Sequence, residues 1–352
     1  GAFNLAWEID IWGRIRRATE AAQGGLLASE EFQRGVLLSL VASVGQAYFE
    51  LIELDRELEI ARETSKSFTD TLQLFTRRFE GGVGSKLQVQ RAAAALAQTN
   101  ATIPELERQI VVKENQINVL LGRNPGPIPR GAELIDQTMP PQTPPGLPSA
   151  LLERRPDLLQ AEGNIIAQNA LVGVAIANFL PRLGLTSLYG GESTELHNVV
   201  KSGANIWNVV GTLSGPIFTG GQNLEQYRAQ VAAFEQAKLQ WAQTAVTAFG
   251  EVSDTLTTQA KLVEIRTQQQ AQVDALKESV RLSLLRYNQG LANYYEVLEA
   301  QQQLYPAELN LARTQADQLI VVVQLYKALG GGWKLPDDQW NSASTAPVPV
   351  SN

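Results

Sequence analysis

The sequence predicts a mainly α-helical chain, built on long antiparallel helical hairpins, that also carries a small set of membrane-type β-strands. Three observations predict it. Residues 286–300, RYNQGLANYYEVLEA, have a gap-free counterpart at 78–92, RFEGGVGSKLQVQRA, 208 residues earlier. The same shift carries Gly13 onto Gly221 and Leu121-Gly122 onto Leu329-Gly330, so a helix–turn–helix unit ending in Leu-Gly is written twice. A period this long describes an internal duplication of a supersecondary unit, not a solenoid of small repeats. Second, long proline-free runs carry apolar residues at three-four spacing, the signature of helix packed on helix. Third, three short stretches alternate apolar and polar residues with the period of a strand.

Bulk properties narrow the partners. Net charge is −7, from 36 acidic and 29 basic residues among 352, so no nucleic acid is expected to bind. There is no cysteine, which excludes a disulfide, a thiol nucleophile and a thiolate metal site within this sequence. No run of 18 uncharged apolar residues occurs, so no membrane-spanning helix is expected. The sequence opens without Met, inside a strand-like pattern and with no signal peptide, and so reads as processed or truncated.

Residues 2–12 alternate strictly, with Phe3, Leu5, Trp7, Ile9 and Ile11 on one face and Asn4, Glu8 and Asp10 on the other. This pattern matches a membrane-spanning strand, apolar toward lipid, and also a half-buried strand of a soluble sheet. No adjacent segment supplies a partner, so the pairing strand is expected upstream. From Gly13 to about Glu80 there is no proline, and only Gly24, Gly25, Gly35 and Gly45 weaken the run. A helix of that length extends roughly 100 Å. Gly81, Gly82 and Gly84 stop it, and Ser85 is placed to cap the return helix. Pro104 is expected to kink that helix or divide it in two.

Residues 122–148 are proline-rich and read as an extended surface connector. Helix then resumes, and Pro156 suits the first turn of a new segment. Leu183, Leu185, Ser187 and Tyr189 alternate with Gly184, Thr186 and Leu188. Beyond a polar loop, Trp207, Val209, Leu213 and Ile217 alternate with Asn208, Thr212 and Ser214. Together these read as a hairpin of about bilayer-spanning length. Gly220-Gly221 then leads into a second long helix. Its mate repeats a four-three pattern through Leu291, Tyr295, Leu298, Gln302, Tyr305, Leu309, Ala312, Ala316, Leu319, Val323 and Tyr326. A seam so rich in Ala and Gln fits helices curved around a wet interior better than a thick apolar core. The expected boundaries are 1–12 for the first strand and 13–122 for the first helical hairpin. Residues 123–180 form connector and upper helices, 181–218 the β-hairpin, 219–331 the second helical hairpin, and 332–352 a disordered tail.

Linked motifs carry a family resemblance across nearly the whole sequence. They are WEIDIWGRIRR at 7–17, QAYFELI at 46–52, LPSALLERRPDLLQAE at 147–162 and GVAIANFLPRLGL at 173–185. GPIFTGGQ at 215–222, the RYNQG stretch and LYKALGGGW at 325–333 continue the series. With these motifs the chain resembles the TolC-like outer-membrane efflux family, in the lipoprotein branch that serves tripartite drug pumps. The resemblance implies a homotrimer in which each subunit gives four strands to one transmembrane β-barrel. Below it a continuous α-helical barrel crosses the periplasm. It implies a passive duct in the outer-membrane lipid, joined to a periplasmic adaptor protein and a proton-driven inner-membrane pump. No cofactor and no catalysis are implied. Against the family pattern the sequence lacks the segment with the signal, the lipidated cysteine, the first helices and one strand.

The residues themselves offer no nucleophile–base pair, phosphate loop or metal-ligand spacing. His197, the one histidine, reads as a solvated loop residue. Met139, the one methionine, leaves little thioether for a soft metal ion and favours organic cargo. Arg78, Gly82 and Ser85, with Arg286, Gly290 and Asn293, are expected to form the two hairpin tips that dock the adaptor. Glu296 and Glu299 sit three apart just past the second tip. By residue type alone they read first as two solvated carboxylates near a helix N-terminus. The resemblance places acidic residues here as rings around the closed periplasmic end of the pore, with Glu standing where Asp is more usual. The alternative for the whole chain is a soluble coiled-coil scaffold or tether with an ordinary small sheet.

Overall fold

The computed structural model describes residues 1–138 and 154–331. Met139, most of the second half of the proline-rich connector, the stretch just before Arg154 and the tail expected at 332–352 lie outside them. Among the described residues, three strands, β1 (Ala2–Ile9), β2 (Arg182–Gly191) and β3 (Asn205–Ser214), accompany five α-helices. The helices are α1 (Arg14–Glu80), α2 (Lys86–Leu120), α3 (Pro156–Ala177), α4 (Gln222–Asn288) and α5 (Tyr294–Ala328). Each boundary of α4 and α5 lies 208 residues beyond the corresponding boundary of α1 and α2. The described residues divide into two compact units, 1–35 with 154–248 and 36–138 with 249–331, so α1 and α4 contribute to both.

In the first unit the strands form one antiparallel sheet in the order β1-β2-β3. β1 thus finds in β2 a partner that no adjacent segment supplies, and it forms one edge of the sheet, so the hairpin partner expected upstream would be a second neighbour on its other side. Phe3 pairs with Tyr189, and Trp7 with Leu185, across more than half the chain. Local pattern shows which face of a strand is apolar but not which strand it meets. The strand also ends earlier than 12. Asp10 turns away and accepts hydrogen bonds from the backbone N–H groups of Ile15 (3.0 Å) and Arg16 (2.9 Å), capping α1. Ile11 therefore lies in the strand-to-helix turn, outside the sheet. Ile217 is also outside it, because β3 stops at Ser214 before Gly215-Pro216, where proline has no N–H for the ladder. Beside the junction, Arg14 makes a two-pronged pair with Glu8 at 2.9 and 2.8 Å.

Close backbone approach fixes α1 on α3. A Cβ built on Gly24 would stand 2.8 Å from the Ala167 nitrogen, and one on Gly163 would stand 2.9 Å from the Ala28 nitrogen. Two glycines on facing helices remove the side chains that would hold the backbones apart. Gly24, read from sequence as a weak point of the helix, is thus a contact.

The second unit holds both helical hairpins. Proline 104 does not divide α2, which runs unbroken from Lys86 to Leu120. α5 likewise contains Pro306. Neighbouring helices hold each of these helices through the single bond that a proline removes. α5 is the most enclosed element, with Leu311, Ala312, Ala316, Leu319 and Val321 all buried. The four-three seam is only partly right. Leu298, Ala312, Ala316 and Leu319 are buried, but Leu291, Tyr295 and Tyr326 are exposed and Tyr294 and Val297 are inside. Near the tip the buried face is displaced because aromatic packing against the other hairpin decides it.

One stretch of α1 is, by length and composition alone, apolar enough to cross a membrane, although no run of 18 residues in it is free of charge. α1 contains an 18-residue window of mean hydropathy 1.6, of which 28% is buried within the chain. A few charges interrupt the apolar run without removing its hydropathy. Leu26, Phe32, Val36 and Leu40 on α1 are all exposed in the single chain.

Candidate pore and docking site

Both hairpin tips close by the same local chemistry. At the end of α1, Gly82 N–H bonds to the Phe79 carbonyl (3.0 Å) and Val83 N–H to the Arg78 carbonyl (3.0 Å). At the end of α4, Gly290 N–H bonds to Tyr287 (3.1 Å) and Leu291 N–H to Arg286 (2.9 Å). These paired bonds form a Schellman motif, which needs a left-handed residue at its fifth position. Gly82 and Gly290 supply it with φ of 74° and 76°. Past the first tip Ser85 caps α2. Its hydroxyl accepts from Leu87 N–H at 3.2 Å, and Gln88 Oε1 accepts from Ser85 N–H at 3.2 Å. Asn293 holds the equivalent position before α5 without a side-chain hydrogen bond.

Between the tips lies an apolar core shared by the two hairpins. Phe68, Phe75, Ala92 and Ala95 of the first meet Tyr287, Tyr294, Val297 and Leu298 of the second. Phe75 packs edge-on against Tyr294, with ring centroids 4.1 Å apart, and against Tyr287 at 5.4 Å. The Arg78 guanidinium lies 4.5 Å from the centroid of the Tyr287 ring. Arg78 therefore touches the opposite hairpin and is only half-exposed. Tyr294 is 2% exposed, its hydroxyl has no hydrogen-bond partner, and burial pushes its pKa up to about 12. Sequence reasoning singled out neither Phe75 nor Tyr294. The signal was the aromatic just inside each tip.

Glu296 and Glu299 are exposed on one side of α5. They line an open cleft of about 550 Å³ with Glu278, Ser279, Arg286 and Gln303. Glu299 accepts a hydrogen bond from Gln303 at 3.3 Å, and Glu278 is paired with Arg281 at 2.7 Å. The cleft thus brings three carboxylates together, two of them uncommitted to a cation. Sequence reasoning also missed the exposed apolar side chains at the tips. Val83 and Leu87 on the first tip correspond by the 208-residue shift to Leu291 and Tyr295 on the second, and all four are exposed.

In the other unit the sheet register puts most of the large apolar side chains on one face. Phe3, Tyr189 and Trp207 lie side by side, as do Leu5, Ser187 and Val209, and as do Ile9, Leu183 and Leu213. With Trp7 and Leu185 they make one largely apolar face. The opposite face carries Asn4, Ala6, Glu8, Thr186, Asn208 and Thr212, together with Leu188, Ile206 and Val210. Phe3, Trp207 and Leu213 are among the most exposed apolar side chains. In the β2–β3 loop, His197 is exposed, with its Nε2 3.4 Å from Glu195.

Comparison with known proteins bears on both units. A model of the family described as "Outer membrane efflux protein" matches residues 1–123 and 147–331. The solvent efflux pump outer membrane protein SrpC of Pseudomonas putida is 35% identical over 339 residues, covering 94% of this chain and 70% of the relative. OprJ of Pseudomonas aeruginosa is 34% identical, covering 93% and 68%. The probable outer membrane lipoprotein SilC of Salmonella typhimurium is 30% identical, covering 94% and 71%. Among solved structures, the outer-membrane channel OprN superimposes with a TM-score of 0.88 at 29% identity, over 94% of this chain and 75% of that one. CusC also gives 0.88, at 28% identity, over 94% and 77%. These relatives give the scaffold alternative no support. The chain belongs to the outer membrane efflux protein family, as an outer-membrane channel component of an efflux system.

Proposed function

We propose that the chain acts as one third of a homotrimeric passive duct for drugs or other organic compounds. Its apolar sheet face, Phe3, Leu5, Trp7, Ile9, Trp207, Val209 and Leu213, meets lipid. Its two helical hairpins, read as copies of one duplicated unit, line the periplasmic conduit. The tips around Arg78, Gly82 and Ser85 and around Arg286, Gly290 and Asn293 dock a periplasmic adaptor, with Val83, Leu87, Leu291 and Tyr295 offering apolar contact. A proton-driven inner-membrane pump supplies the cargo. Glu296 and Glu299 narrow the entrance, and three copies of each make it select for cations while shut. Relatives named for solvent and toluene efflux support organic cargo.

The observation that carries this reading is the sheet, whose register gathers most of the large apolar side chains, all the aromatic ones included, on one exposed face and most polar ones on the other. Water alone offers no reason for that sorting. In the test, Val209→Arg and Asn208→Arg are compared for heat-modifiable trimer in outer-membrane fractions. A midplane arginine facing lipid costs about 2–4 kcal/mol, and one facing the lumen costs little. Val209→Arg should abolish assembly while Asn208→Arg spares it. Equal effects would refute the lipid-facing register.

A further inference from the structure

Away from tips and sheet, the second unit contains a group of charges to which the proposed function assigns no role. Glu53 and Glu57 of α1 share one cation of α5. The Arg313 Nε is 2.6 Å from a Glu57 oxygen and 3.9 Å from a Glu53 oxygen. Glu50, one turn before Glu53, is held by Lys113 of α2 at 2.8 Å. Asp317, one turn beyond Arg313, adds a fourth carboxylate that acts on Glu53. Four carboxylates therefore face two cations, and the two cations are closest to Glu50 and Glu57. Glu53 is left without a hydrogen bond, its side chain 19% exposed, on the helix face where Ile52 and Ile60 pack on Ala312, Ala316 and Leu319.

We propose that Glu53 is a proton-operated latch on the packing of α1 against α5. Protonated, it sits in the seam and leaves Arg313 to Glu57. Ionised, it repels Glu57, Glu50 and Asp317 and competes for Arg313, so the seam loosens. The direction follows from burial, which raises the Glu53 carboxyl to about 7, with Glu57 and Asp317 adding to the rise and Arg313 opposing it. A free glutamate titrates near 4.3. The folded state then binds more protons than the unfolded one between those values, so stability falls as pH rises through that window.

Hydrogen exchange on the whole chain in detergent, at pH values from 4 to 8.5 and corrected for intrinsic exchange, tests this directly. Amides around residues 50–60 and 311–319 should open more readily by up to roughly tenfold per pH unit between about 5 and 7, the limit for one proton, then level off. Glu53→Gln should abolish that slope and keep the protected behaviour at pH 8. Glu57→Gln should free Arg313 for Glu53 and move the midpoint to lower pH. An unchanged slope in Glu53→Gln overturns the proposal. So does an unmoved midpoint in Glu57→Gln, which decides alone if the first variant does not fold.

Discussion

At Gly82 the chain turns from α1 into α2, and at Gly290 from α4 into α5, with nearly the same φ and the same two backbone hydrogen bonds. Beyond the turns the side chains diverge. The first tip closes a capping box through Ser85 and Gln88, whereas Asn293 makes no such bond. Gln88 and Arg91 stand where the second hairpin has Glu296 and Glu299. The backbone of a helical hairpin is set by a left-handed glycine and apolar spacing, which tolerate any polar residue on the exposed side. Charge is free to differ, so one repeated scaffold presents a neutral-to-basic tip and an acidic one. If three chains close around an axis, the acidic hairpin alone can ring it with carboxylates.

The largest test removes what the two tips share. Phe75→Ala empties the site against Tyr287 and Tyr294 and should cost about 3–5 kcal/mol in chemical denaturation. A much smaller loss would mean that the hairpins do not depend on each other there. Next in size, Gly82→Val and Gly290→Val should each cost about 1–3 kcal/mol, through backbone strain alone. A Cβ at either glycine meets nothing within 4 Å, so the two costs should match. In function they should also agree, each weakening crosslinking to the adaptor while trimer levels persist. A large difference in stability would break the equivalence of the turns.

Smaller still, Ser85→Ala should lose about 1 kcal/mol with its capping box, and Asn293→Ala much less. Equal losses would show that Asn293 caps α5 in the working channel. The smallest effect on stability, and the most informative on conduction, comes from exchanging charge. Glu296→Gln with Glu299→Gln should lower cation preference and block by divalent cations in planar-bilayer recordings of the trimer. Gln88→Glu with Arg91→Glu should leave both unchanged. If the first hairpin's variant changes selectivity and the second's does not, the assignment of the entrance is inverted.

Much of the architecture could be read from residues alone. The glycines at positions 82 and 290 mark turns because few other residues accept positive φ, and Pro156 marks a helix start because its missing N–H costs nothing there. The acidic pair was singled out by its place after a tip taken together with the family resemblance. The apolar partners of that region were not. Phe75, Tyr287 and Tyr294 look like ordinary aromatic positions until two hairpins 208 residues apart are brought together. Ile11 and Ile217 continue an alternating pattern past the point where Asp10 and Pro216 end the ladder.

By itself the sequence determined the helices, the strands, the turns between paired helices and the polarity of each strand face. Those follow from backbone sterics and from periods of two and three-to-four residues, which act over a few neighbours. Only the tertiary structure decided that β1 pairs with β2, which side of α5 is buried near its tip, and that Gly24 meets Gly163 at backbone distance. It also decided that one arginine serves both Glu53 and Glu57. Each of these depends on groups far apart along the chain, whose meeting is settled by packing and by the burial of charge, and no local pattern encodes it.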